Sequence, residues 1–341
     1  MCTNETPIGA EAAVTAEMRV TYAEAVAVGL GEVLAEDART RLMGQYFFGL
    51  TKHRSLMVQL RRQFGTRVWD PPISEVGYVG VGIGAAISGL RPIVDLATAS
   101  FVFQAFGQVV NELAHVRYAS GGQTAAPIVL HMNHGIRGGG APQHSHSPQA
   151  MLWNAPGLRI VLPSTPRDVR GLIRTAVSCE DPVVWIDHVK LFDEVGVVPS
   201  EPEFVPFGVA AIRRTGVDLT LVATSRMVSV ALAAADILLT KGYSAEVIDP
   251  RTLVPFDIDT LLNSVAKTGR LVIVDECHLS CGVSAEIAAR VAEHGFGFLR
   301  APIRRVATLD VPVPFSPPLE AYVGPDVGKV VAAAEEVCAV S

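Results

Sequence analysis

Short runs rich in valine and isoleucine alternate with longer helical stretches along almost the whole chain. In the first half the candidate strands lie at 41–43, 67–69, 92–96, 127–132, 159–163 and 182–187. Helical patterns fall between them at about 21–36, 55–64, 76–89, 102–118, 149–154 and 166–178. Strands that are apolar on both faces must be covered on both faces, so the alternation predicts a mainly parallel sheet with helices on each side. The proline-rich run 194–208 breaks the alternation and reads as a linker. Strand and helix patterns then resume to the C-terminus. The predicted fold class is therefore α/β, with two doubly wound domains at 19–193 and 209–341 and a flexible N-terminal segment at 1–18.

A length of 341 residues favours two cores over one, and 49% hydrophobic residues are enough to fill them. A net charge of −6 with no Lys/Arg cluster argues against a nucleic-acid partner. The N-terminal stretch is polar and alanine-rich, unlike a signal peptide, and no later apolar run is long enough for a bilayer, so the expectation is a cytoplasmic protein without a membrane span. The cysteines (Cys2, Cys179, Cys277, Cys281 and Cys338) are odd in number and scattered, which fits reduced thiols. Cys277 and Cys281 have a spacing a metal could use, but nothing supplies the other ligands. The loop after the first strand of the second domain, ATSRM, lacks a glycine-rich phosphate fingerprint.

The most informative segment is RVWDPPISEVGYVGVGIGAAISGLRP at 67–92. Two prolines lead into Ser74 and Glu75, which open a helix carrying Gly77, Gly80, Gly82 and Gly84. Taken alone, Ser74 is an N-cap and Glu75 a first-turn acid that favours the helix dipole. Glycines at this density weaken a helix, and they make sense where another backbone approaches closely, as at a subunit interface.

This block resembles the segment around the essential glutamate in β subunits of pyruvate and branched-chain 2-oxoacid dehydrogenases, which depend on thiamine diphosphate. YASGGQTAAPIVL, GGGAPQHS, APGLRIVLPSTPRDVRGLI, EDPVVWID, AEVIDPRTLVPFD, GVSAEIAARV and VATLDVPVPF resemble later blocks of the same family in the same order, over roughly residues 20–335. The resemblance implies a pyrimidine-binding domain followed by a transketolase-like C-terminal domain. It gives Glu75 the task of hydrogen-bonding the cofactor's aminopyrimidine so that its imino form is favoured. It places Phe101 as a ring stacked on that aminopyrimidine, with Gln45 and Ala97 beside the pocket. His144 in GGGAPQHSHSP matches an active-site histidine that exchanges protons with substrate or acyl acceptor. His131 and His134, nearby in sequence, are candidate substrate contacts. Four histidines in sixteen residues (His131, His134, His144, His146) also raise a zinc site, but no Cys or carboxylate completes the set.

The chain has no Gly-Asp-Gly segment, which this class of enzyme uses to hold magnesium and the diphosphate. In the two-subunit family that motif is on the α subunit. The resemblance therefore implies a shared site, a heterotetramer of two α and two β chains, and magnesium held mainly by α. The family's β subunits often bind potassium through main-chain carbonyls, here matched by Ile128, Ala176, Cys179 and Asp181. Where the family has an acidic segment, this chain has MGQYFFG at 43–49. Ala97 and Ala99 are also smaller than usual, which suggests a roomier, more aromatic pocket. The leading expectation is decarboxylation of a 2-oxo acid with acyl transfer to a lipoyl or acyl carrier protein. The alternatives are transfer of a two-carbon ketol unit from a ketose phosphate, mildly favoured by His131 and His134, and a non-catalytic scaffold subunit.

Overall fold

The computed structural model describes residues 17–44 and 52–340. Among the described residues fourteen strands form three sheets: β1 (Glu17–Thr21), β2 (Thr40–Gly44), β3 (Val68–Trp69), β4 (Arg91–Thr98), β5 (Val129–His134), β6 (Arg159–Val161), β7 (Val183–His188), β8 (Val195–Pro199), β9 (Ala211–Arg214), β10 (Leu219–Ala223), β11 (Ala245–Asp249), β12 (Thr252–Val254), β13 (Leu271–His278) and β14 (Arg304–Thr308). The first large sheet runs β12-β6-β7-β5-β4-β2-β3 and is parallel except at β12. The second runs β14-β13-β10-β11-β9 and is parallel except at β9. The predicted fold class, α/β with two doubly wound sheets, is what the chain adopts.

Burial explains why the strands were legible. Every residue of β5, β7, β10 and β11 is buried, so these segments read as continuous apolar runs. Helices cover both faces of each of the two large sheets. Tyr22–Glu36 begins at Thr21, whose hydroxyl accepts from the Glu24 amide while the Glu24 carboxylate accepts from the Thr21 amide, a reciprocal cap.

Three elements depart from the sequence expectation. The run 194–208 is more than a linker, because its first part is β8, which pairs antiparallel with β1. β12, in the second half of the chain, joins the edge of the first sheet beside β6, so the two halves share a sheet. The predicted helix at 102–118 is instead three pieces: a 3-10 segment at Ala99–Ala105, a π-helical turn at Gln108–Leu113 and a short α turn at Val116–Ala119. Irregular helix of this kind recurs at functional sites, and this one leads directly away from the C-terminal end of β4.

Candidate active site

In doubly wound sheets, ligands bind outside the carboxyl ends of the strands. Four expected site residues, Glu75, Ala97, Phe101 and His144, sit on segments that meet there. The 3-10 segment Ala99–Ala105 follows β4 and packs on the glycine helix Glu75–Ile87, on β5, and on the turn Pro142–His144. Ala97 lies at its entry with φ +58, left-handed for a residue with a Cβ. Its amide donates to the Asp95 carboxylate at 2.9 Å, which holds the bend. The segment presents Phe101, whose ring meets the His144 imidazole edge-on at 5.7 Å between centroids. The Ser100 hydroxyl donates to the Gln143 carbonyl, tying the histidine turn to the same segment.

Glu75 is the first residue of the glycine helix. Ser74 caps it, accepting from the Gly77 amide at 3.2 Å, so Glu75 itself is not spent on capping. Its carboxyl is half-buried and close enough to act on Tyr78. Burial pushes the Tyr78 phenol well above its ordinary range, and the negative charges of Glu75 and Asp95 add to that effect. Beside the histidine turn lies a cleft of about 530 Å³ lined by Pro142, His146, His278, Asp310 and Pro312, drawn from both halves of the chain.

His131 and His134 are not in that opening. His131 is completely buried on β5 between two equally buried carboxylates, with Nδ1 2.9 Å from Asp95 and Nε2 3.2 Å from Asp187. Burial alone would lower its pKa. The hydrogen bonds to Asp187 and Asp95 outweigh that and hold it up at about 9. Asp187 also accepts from the Trp185 indole at 2.7 Å and from the Tyr22 hydroxyl. A residue fixed on both ring nitrogens inside the sheet cannot greet a substrate, so the substrate role expected for His131 is corrected to a structural one.

His134 is buried as well. Its ring nitrogens lie 3.1 Å from the Ser147 and Ser225 hydroxyls, and its ring meets His188 edge-on at 5.1 Å. Burial first, and then the charge of His188, push its pKa down to about 3, so it is neutral near pH 7. Its expected substrate contact is likewise corrected. His188 reaches Glu276 on β13 at 2.7 Å. Burial pushes the Glu276 carboxyl up, but His188 outweighs burial and holds it at about 2. Gly135 has φ +94, and a Cβ there would meet His188 Nε2 at 2.2 Å, so only glycine lets the chain pass this pair. His188 and Glu276 were missed in the sequence, although charged residues ending the runs PVVWIDH and LVIVDECH were a usable signal.

Of the four carbonyls expected at the potassium site, those of Ile128, Ala176 and Cys179 accept protein N–H groups. The Ile128 carbonyl accepts from the Val183 amide at 2.9 Å and that of Ala176 from the Cys179 amide at 3.2 Å. The Cys179 carbonyl takes an Arg91 guanidinium N–H at 3.2 Å, and the Asp181 carboxylate pairs with Arg117 and Arg159. Each of these carbonyls keeps a second lone pair, so a cation there would share the oxygens with protein donors. Among the described residues no group of three His, Cys, Asp or Glu side chains is placed to hold a metal, and none of the helices is long and apolar enough to cross a membrane. Gln45, expected beside the pocket, lies outside the described residues.

Comparison with known proteins fits this geometry. The transketolase pyrimidine-binding domain model matches residues 18–192, and the transketolase C-terminal domain model matches 208–330. The chain is 39% identical over 322 residues to the pyruvate dehydrogenase E1 component subunit beta of Rickettsia felis, covering 94% of this chain and 99% of that protein. The chain belongs to the E1 β-subunit family of transketolase-like proteins. This E1 β-family chain is also 42% identical over 273 residues to the beta subunit of acetoin:2,6-dichlorophenolindophenol oxidoreductase from Bacillus subtilis, covering 80% of each. Its fold matches a solved split-gene transketolase, described as an inactive β4 tetramer, with a TM-score of 0.75 at 23% identity over 94% of this chain and 99% of that one.

Proposed function

We propose that this chain is the β subunit of a thiamine-diphosphate enzyme that decarboxylates a 2-oxo acid and passes the acyl group to a lipoyl carrier. The observation that carries the reading is the convergence of the Glu75 helix, Phe101 and His144 at the carboxyl edge of the first sheet. The pyrimidine end of the cofactor fits these residues: a carboxyl not used as a cap, an aromatic ring, and a loop imidazole. When bound, thiamine diphosphate supplies an ionisable thiazolium carbon that adds to a carbonyl and accepts its electrons. Glu75 would hold a proton against the pyrimidine nitrogen. Phe101 would fix the plane of the ring, and His144, exposed on its turn, would give or take a proton at the substrate oxygen or the acyl acceptor. Magnesium and the diphosphate would be held by an α subunit, since this chain has no Gly-Asp-Gly segment.

The same chemistry applied to a hydroxyketone gives a second reading, acetoin cleavage, which the 42% identity to the Bacillus subtilis subunit favours. Reconstitution with the α subunit, followed by dye reduction with 2,6-dichlorophenolindophenol, separates the donors. Pyruvate or another 2-oxo acid should drive dye reduction with release of carbon dioxide. Reduction with acetoin but no 2-oxo acid would transfer the proposal to the second reading, and turnover of a ketose phosphate alone would overturn both.

The outward face of the glycine helix is the surface we assign to the partner. Val76, Val81 and Ile87 are exposed there, and a Cβ added at Gly80 or Gly84 meets nothing within 4 Å. Gly80→Leu should therefore leave this chain's own fold intact, even gaining roughly 0.5–1 kcal/mol of helix stability. It should block the close approach of the α subunit. Native mass spectrometry of the mixed subunits, beside a thermal melt of this chain alone, checks both halves.

A further inference from the structure

The loop that carries His144 spans residues 135–146 and closes at its base where the Gly135 amide donates to the His146 carbonyl at 3.5 Å. Its tip is tied to the Phe101 segment through Ser100 and Gln143. Three of its backbone amides donate to the other half of the chain. Glu276 on β13 accepts from the Ile136 amide at 3.0 Å. Glu320, in the helix Pro317–Val323, accepts from the Gly139 amide at 2.9 and 2.8 Å through its two oxygens and from the Gly140 amide at 3.3 Å.

Glu320 is only 4% exposed. A carboxylate in so dry a place, receiving backbone N–H donors, makes charge-assisted bonds roughly twice as strong as neutral ones. Removing it would leave the half-buried Gly139 and Gly140 amides without that partner. Gly139 has φ +82 and lies against Phe315, so the carboxylate accepts from a backbone in the left-handed region that glycine favours.

We infer that Glu320 is a positioning residue that fixes the histidine loop from the C-terminal half of the chain and so sets where His144 stands. The inference rests on the proposed role of His144 for its kinetic consequence, but not for its structural one. It also makes the second half of the chain part of the working site, beyond any role in assembly: one carboxylate on β13 and another near the C-terminus grip the first limb of the loop.

The test uses the complex reconstituted with the α subunit, with Glu320→Ala and Glu320→Gln in this chain. Amide hydrogen exchange in peptides covering 135–146 should accelerate by on the order of ten-fold or more in Glu320→Ala and by less in Glu320→Gln, whose amide oxygen still accepts. With pyruvate and 2,6-dichlorophenolindophenol, kcat in Glu320→Ala should fall by about 10²-fold with KM little changed, as expected when a group acting only in the transition state is displaced. Glu320→Gln should recover part of that loss. In a His144→Ala background, Glu320→Ala should add almost nothing. Unchanged loop exchange in Glu320→Ala overturns the clamp whatever the activity. A full, additive loss in the His144→Ala background overturns the claim that Glu320 acts through His144. Near-normal turnover of His144→Ala alone would instead sink the catalytic reading of His144, and the exchange result would still decide the clamp.

Discussion

Glu75→Gln should slow hydrogen–deuterium exchange at the thiazolium carbon of the assembled enzyme by ~10²–10⁴-fold, while folding and assembly are preserved. The amide is nearly isosteric with the carboxyl, so packing at the start of the glycine helix is kept. What it loses is the ability to share a proton with the pyrimidine nitrogen. A purely structural Glu75 predicts something else. Its first-turn position is worth at most about 1 kcal/mol through the helix dipole, and Ser74 already provides the N-cap. Under that reading the glutamine variant would exchange at the normal rate and melt slightly earlier. The two outcomes differ in which measurement moves, so one experiment separates them.

The second large effect concerns stability. His131→Gln should destabilise the chain by about 3–5 kcal/mol in chemical denaturation, the usual cost of removing one member of a buried ionic group. The variant leaves Asp95 and Asp187, both fully buried, without the charge that lies between them. The pH dependence has a definite sign. The folded His131 titrates at about 9, above the ordinary histidine value of about 6.5. Its contribution is therefore complete below about pH 6.5 and is lost as pH rises through about 9. The stability gap between wild type and His131→Gln should be widest near pH 6 and narrow steadily toward pH 9–10. A gap that stays constant over that range would mean that the imidazole is not held as a cation.

The same residue shows what the sequence could and could not disclose. PIVLHM read correctly as a strand because its apolar residues are buried on both faces. The histidine within it read as a possible substrate contact because its partners are remote in sequence. Asp95 is 36 positions away and Asp187 is 56, and only the parallel pairing of β4, β5 and β7 brings them into line. Glu75, Phe101 and His144 were proposed for the opposite reason, since each lies in a local motif that can be matched without knowing the fold. The glycine helix was visible through its spacing alone. A regular helix was expected from residue 102, just after Phe101, yet the chain after β4 is bent by Ala97 and continues as 3-10 turns. A pattern of apolar spacing cannot report that distortion. β1, β8 and β12 were overlooked because edge strands of three to five residues carry too little periodicity to stand out from loops.

Glu276 and Glu320 belong to the same class of omission. Both lie in the second half of the chain and act on a loop in the first. Their signal in the sequence was a carboxylate in an otherwise apolar setting, which becomes meaningful only when the two halves are seen packed together.

The central claim is that this chain forms one side of a cofactor site that an α subunit completes. Calorimetric titration of thiamine diphosphate with magnesium tests it most directly, first into this chain alone and then into the reconstituted pair. Weak or undetectable heat with the single chain and tight, magnesium-dependent binding with the pair is the predicted result. Tight, magnesium-dependent binding to this chain by itself would contradict the shared site.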